Sequence, residues 1–455
     1  MFTDGTTFRR NPSGGHARYR TALALVCAAY IMVFVIVYHR VIIPVWGYEG
    51  YRSIATPEHA AAGWTLAILP SLWMPIQLRR PSALVYWLLY LLVIVPVCLV
   101  PIYSLQDQSS GPLSMAACVV GMFGLTRMIY RLPLPAVPRL HLQAHEFLLV
   151  LMLLSSVFYA LMILAFGLHF RYVPLEQVYS IRSQFKEVLS QGSRLTAYAI
   201  GWQMYVINPL LMASGIMNRR LFPAVTGVAG QLAIYSISGF RDVLFSAVFF
   251  LYLLWTMRKD KAFGLRLAST WVLCVSAAGA LEFFHISRTL AGLIGERMTA
   301  GPGLLTGYYY EFFSSHPKAL LGQSIFFKSW VHYPYVLGPA EQIGYTYFGD
   351  SRMSANANLW ADAYANFGYA GIISFTLLLA LILWLYDSIS DGRDTRLCAL
   401  AIAMPAFALA NSGLLTSLVT HGIGLAMLIV YIMPSPPLAL STQFIYKPSY
   451  SRCKV

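Results

Sequence analysis

The pair Arg241–Asp242 interrupts an apolar stretch that runs from Leu221 to Thr256. A charge at mid-bilayer costs at least about 2.5–3.5 kcal/mol, so the pair belongs at an outer turn between two spans. Gly239, in Ser238-Gly239-Phe240-Arg241-Asp242, permits a tight turn there. Two chemistries fit. One is an interfacial ion pair that ends two helices. The other is an anion site, in which a guanidinium turns its fixed fork of donors toward a phosphate or pyrophosphate. A second constellation comprises Asn358, Asp362 and Asn366. At i, i+4 and i+8 of a helix they share one face. An amide–carboxylate–amide row just ahead of an apolar run suits a protein cleft or water better than lipid. The plainer alternative is a capped, solvated helix start.

Other signals are weaker. His141 and His145 have a metal-ligand spacing beside Glu146, but no third ligand is evident, and interfacial histidines explain them better. Ser183-Gln184-Phe185-Lys186 fits S-x-x-K, a common pattern, and no K-T-G follows it. Neither a Walker A lysine motif nor a dinucleotide glycine fingerprint occurs, so a nucleotide-driven pump is not supported. The six cysteines are Cys27, Cys98, Cys118, Cys274, Cys398 and Cys453, and the first five fall in or at the edge of apolar runs. They give no pattern for a disulfide framework or a zinc cluster.

The elements that must position these residues are membrane helices. The 455 residues are 58% hydrophobic and only 11% charged, against about 25% charged in a soluble domain. An all-α, polytopic membrane domain over 1–455 is expected, with about twelve spans. They fall near 21–39, 60–77, 83–103, 112–130, 146–168, 195–217, 221–239, 242–257, 265–284, 368–386, 397–412 and 415–433. The first run has no small-residue cleavage site after it, so it reads as an anchor. With both termini in the cytoplasm, 20 of the 32 basic residues fall in inner segments, as the positive-inside rule expects. The net charge of +14 is spread over short loops, which points to orientation and gives no ground for a nucleic-acid partner.

Most of the remaining basic residues lie in two long outer segments. In 169–195, Leu175, Val178, Ile181, Phe185, Val188 and Leu189 follow Pro174 at helical spacing, with Arg182 and Lys186 on another face. That fits a helix lying in the membrane interface, or equally a packing helix. The second segment, 286–367, is too aromatic for disorder. It is expected to form short helices on the outer face around a polar cleft.

Two of these stretches carry a family resemblance. Asp362-Ala363-Tyr364-Ala365-Asn366-Phe367-Gly368, then Gly371 and an apolar run, resembles the E-A-Y-x-N-F-G-x-x-G stretch of Wzy-type polysaccharide polymerases. Ser238-Gly239-Phe240-Arg241 resembles the S/G-x-R turn of the same superfamily, which includes O-antigen ligases. The order of the two motifs, with a large outer loop between them, is also similar. Asp362 stands where the family usually has Glu, and Asp242 where a small residue is common. The likeness covers roughly the second half of the chain. It implies a bacterial inner-membrane glycosyltransferase that polymerises undecaprenyl-pyrophosphate-linked repeat units on the periplasmic face, with a chain-length regulator protein as a partner. The rivals are an O-antigen ligase and, from another class, a flippase for lipid-linked saccharides. Such chemistry needs a base and phosphate-side cations. Arg241, Arg288 and Arg297 are the candidate cations. Asp362, Glu296, Glu311 and His316 are the candidate bases or sugar hydrogen-bonders. Arg182, Asn358, Tyr364 and Asn366 complete the expected substrate contacts. No acidic metal motif is evident, so neither metal nor cofactor is expected.

Overall fold

The computed structural model describes residues 12–106, 110–138, 140, 142–167, 178–258, 260–324, 327 and 329–435. Side chains at 12–17, 178–180, 183, 186, 190, 191, 241, 242, 244 and 260 lie outside the description. No strand occurs among the described residues. Among the described residues, eight helices are long and apolar enough to cross a membrane: Arg18–Glu49, Ser82–Ser104, Gly111–Tyr130, Ala144–Phe166, Leu221–Ser238, Phe263–Phe283, Leu359–Ser390 and Leu414–Ile432. Phe245–Thr256 and Thr395–Ala408 are shorter apolar helices. The expected spans near 60–77 and 195–217 contain helix but are not among the eight.

The pattern of burial follows composition. Helix Ser82–Ser104 is apolar all round and every residue of it is buried, so it forms the centre of the bundle. Helix Ala144–Phe166 is equally apolar, yet Leu149, Leu153 and Leu164 stand 69%, 64% and 84% exposed. A face of that kind is stable only against an apolar solvent such as lipid.

Among the described residues, four helices continue through a proline by way of a π turn. Each makes a wider π turn just before it, over Tyr38–Ile42, Tyr90–Ile94, Gln203–Ile207 and Ala291–Ala300, ahead of Pro44, Pro96, Pro209 and Pro302. Proline has no N–H, and its ring crowds the carbonyl four residues back. The wider turn relieves that crowding, and the N–H preceding proline reaches the carbonyl five residues before it, as Gly301 does to Glu296.

The expected outer segment 286–367 is not built from short helices alone. Arg288 to Ser315 is helical throughout. It packs on the central helix, where Gly303 lies against Pro96 and Val100, and Gly307 against Pro101 and Leu105. In the first long segment, helix Val178–Gln191 buries Ile181 and Phe185 against Phe166, Ile234 and Phe240. It therefore packs on the hairpin between helices Leu221–Ser238 and Arg241–Thr256, and 169–177 lie outside the described residues. Helix Leu221–Ser238 stops where Gly239 takes φ 65°, a left-handed conformation that glycine adopts without a Cβ clash.

Candidate functional site

A cavity of about 660 Å³ opens where these pieces meet. Arg182 and Phe185 come from helix Val178–Gln191, and Phe240 from the turn. Tyr205 and Arg297 come from two of the π turns, and Asn356 from the loop ahead of helix Leu359–Ser390. Asn411, Ser412 and His421 come from the last part of the chain. Much of the wall is apolar, including Leu189, Ile200, Met204, Leu293, Met298 and Phe407. Cationic donors in an otherwise largely apolar lining suit an anionic head joined to a hydrocarbon tail.

Arg182 fixes one side. Its Nε donates to the Gly239 carbonyl at 3.2 Å, and its guanidinium lies 5.4 Å from the centre of the Phe240 ring. Arg241 opens the next helix directly after Phe240. Its side chain, and that of Asp242, lie outside the described residues. Arg297 is half exposed and pairs with Glu296, Nε to Oε2 at 3.8 Å. The Tyr51 hydroxyl donates to Glu296 Oε1 at 3.4 Å. Burial, reinforced by the nearby Glu49 charge, pushes the Glu296 carboxyl up to about 7, against the opposing pull of Arg297.

Asp362 lies just behind the cavity wall. A side chain added at Gly413, next to the lining residue Ser412, would collide with its carboxylate. The group is half-buried, and its carboxylate accepts no hydrogen bond from any described residue. Its backbone carbonyl alone is engaged by a side chain, Asn366 Nδ2 at 2.8 Å. Tyr309 lies within electrostatic reach of it, and its hydroxyl donates at 3.2 Å to the carbonyl of Ala355, a lining residue.

The two asparagines on the same helical face work on the backbone. Asn358 is fully buried and caps helix Leu359–Ser390, accepting from Trp360 N at 3.0 Å and Ala361 N at 3.3 Å. Its amide donates to Thr306 Oγ1 at 2.6 Å. Asn366 Oδ1 accepts from Leu321 N at 2.8 Å, which ties down the loop after Ser315. Tyr364 is buried beneath the Lys318 ammonium, 4.4 Å from its ring centre.

Three further candidates lie elsewhere. Arg288 is largely exposed and pairs with Glu282 at 3.4 Å. Glu311 lies beside the stacked Tyr308–Tyr347 pair. His316 stacks on Phe312 at 4.2 Å, with Nδ1 2.9 Å from the Phe312 carbonyl. The cavity thus gathers Arg182 and Arg297, with Glu296, Asp362 and the Arg241 turn around it. The sequence reading passed over Asn411, Ser412 and His421. The run Asn411-Ser412-Gly413 was a usable signal, being a polar interruption between two apolar stretches.

No protein-family profile matches the chain, and comparisons with curated proteins and with solved structures return no match. Fold and site together define an all-helical membrane protein with an arginine-lined, largely apolar cavity.

Proposed function

We propose that the chain is a bacterial inner-membrane glycosyltransferase of the Wzy type, which polymerises oligosaccharide repeat units carried on undecaprenyl pyrophosphate. One observation carries the reading furthest. Arg182 and Arg297, from two separate segments, line one apolar-walled cavity beside the turn that leads into Arg241. In this reading the chain spans the membrane about twelve times with both ends in the cytoplasm, and the cavity opens on the periplasmic side. A chain-length regulator is its protein partner.

In the reaction, a hydroxyl of the incoming unit attacks the anomeric carbon of the growing glycan. A new glycosidic C–O bond forms as the C–O bond to pyrophosphate breaks. The departing undecaprenyl pyrophosphate keeps the electron pair, and the arginines neutralise its charge. The hydroxyl proton passes to a carboxylate, and the Asp362 carboxylate, to which no described residue donates, supports taking it as that group. The Glu296 carboxyl is the second candidate, held near neutrality by burial.

The test is the surface glycan of a deletion strain. A lost polymerase leaves single repeat units attached, and a lost ligase leaves none. Complementation with the wild-type gene is expected to restore long chains, and Arg297→Gln to shorten them at matched expression. A deletion strain that attaches no repeats at all would overturn the polymerase reading in favour of a ligase or a flippase.

A further inference from the structure

A second concentration of arginine lies at the other end of the bundle. Residues Leu359–Ser390 form two helices that meet at a sharp break at Gly368 (φ 62°, ψ -142°), the first carrying Asp362 beside the cavity and the second leading to Trp384, whose indole donates to the Pro133 carbonyl at 3.1 Å. Pro133 follows Arg131 by two residues. At this end Arg20 Nη1 donates to the Met74 carbonyl at 2.7 Å and lies within electrostatic reach of Arg127 and Arg131. Arg80 is occupied differently, donating to the carbonyls of Tyr130 and Leu132. No carboxylate lies within ion-pair distance of Arg20, Arg127 or Arg131 among the described residues.

The same place holds four buried polar atoms with no hydrogen-bond partner among the described residues, Arg127 Nε, Arg127 Nη1, Trp73 Nε1 and Ser71 Oγ, although the Arg127 guanidinium lies 4.2 Å from the centre of the Tyr130 ring. They come together for a reason. The Trp73 ring lies 3.5 Å from the Cβ position of Gly124, one helical turn before Arg127. Ser71 and Met74 are the two residues whose carbonyls face Arg20. Each such group left unpaired costs about 1–3 kcal/mol, and more when charged. Water would satisfy a donor but would not balance three positive charges. One species does both: an anion with several acceptor oxygens, for which the guanidinium fork is suited.

We propose that Arg20, Ser71, Trp73, Arg127 and Arg131 form a binding site for the phosphate of an anionic phospholipid headgroup. The site lies at the ends of helices Arg18–Glu49 and Gly111–Tyr130, both long enough to span a bilayer. That puts its donors at headgroup depth and makes a lipid the source of the phosphate.

The test is native mass spectrometry of the full chain, purified in detergent and titrated with phosphatidylglycerol, phosphatidylcholine or inorganic phosphate. The wild type is expected to retain phosphatidylglycerol at least about tenfold more strongly than phosphatidylcholine. Arg127→Gln is expected to lose that preference, and Arg40→Gln, an exposed arginine at the far end of the first helix, to keep it. If Arg127→Gln does not fold, Trp73→Phe removes one donor, keeps the ring, and is expected to weaken retention severalfold. Equal retention by wild type and both site variants would overturn the site. Tight binding of inorganic phosphate without retention of phosphatidylglycerol would overturn the lipid source.

Discussion

Arg182 donates through Nε to the carbonyl of Gly239 at 3.2 Å and covers Phe240 with the same guanidinium. One side chain thus joins helix Val178–Gln191 to the turn from which Arg241 departs. A hydrogen bond from a charged donor contributes about 1.5–3 kcal/mol, which is enough to hold a turn in one position. Arg182→Ala is expected to slow repeat-unit addition by roughly tenfold or more, read as chain length at matched expression. Arg182→Lys is expected to recover only part of it, because an ammonium does not stack and reach the carbonyl as the fork does.

Asp362 separates three roles through two substitutions. If its carboxylate takes the hydroxyl proton, Asp362→Asn costs about 10²–10⁴-fold in rate. If it only hydrogen-bonds a sugar, Asn retains substantial activity and Ala loses more. Loss in both variants by similar large factors is the outcome expected from its unengaged oxygens. Gly413→Ala is expected to depress activity without touching the carboxylate chemically, since the added methyl must displace it. Full chain length in Asp362→Ala would return the residue to a purely structural role.

Glu296 sets a pH dependence of stability. Its folded-state carboxyl titrates at about 7, above the ordinary value of 4.5. Between those two values the folded chain holds a proton that the unfolded chain has lost, so stability falls as pH rises through that window. The loss is complete above about pH 7 and amounts to about 3 kcal/mol. Glu296→Gln is expected to flatten this slope and to raise Tm at pH 8, measured by thermal unfolding of the purified protein in detergent. An unchanged pH profile in the variant would show that Glu296 is not the group responsible.

Orientation is checked by fusions. A reporter active only outside the cytoplasm is expected to work at Ser324 and to fail at Lys261. Equal activity at both sites would remove the twelve-span topology and with it the periplasmic placement of the cavity.

Much of the architecture could be read from the chain because bilayer-length apolar runs are local signals. The break at Ser238-Gly239-Phe240 was legible in this way, whereas the helical spacing of Ile181 and Phe185 fitted an interfacial and a packing helix equally. The row Asn358–Asp362–Asn366 shows where locality ends. Helical spacing does place the three on one face, yet what each does depends on partners far along the chain. Thr306 claims Asn358 and Leu321 claims Asn366, while no described residue donates to the Asp362 carboxylate. His421 joins Arg182 in one cavity only through packing between segments more than two hundred residues apart, which no periodicity records. The π turns lie between these extremes. Each proline was visible, but that the helix would widen and continue, carrying Tyr205 and Arg297 into the cavity, depended on the neighbours that hold it.

The most direct test of the polymerase reading is reconstitution. The purified chain in liposomes is given undecaprenyl-pyrophosphate-linked repeat units and no other protein, and the products are separated by size. A ladder of multiples of one repeat, shortened in Arg182→Ala and Arg297→Gln, is the predicted result. Units that cross the bilayer unchanged, or that are joined only when a lipid A core is supplied, would contradict it.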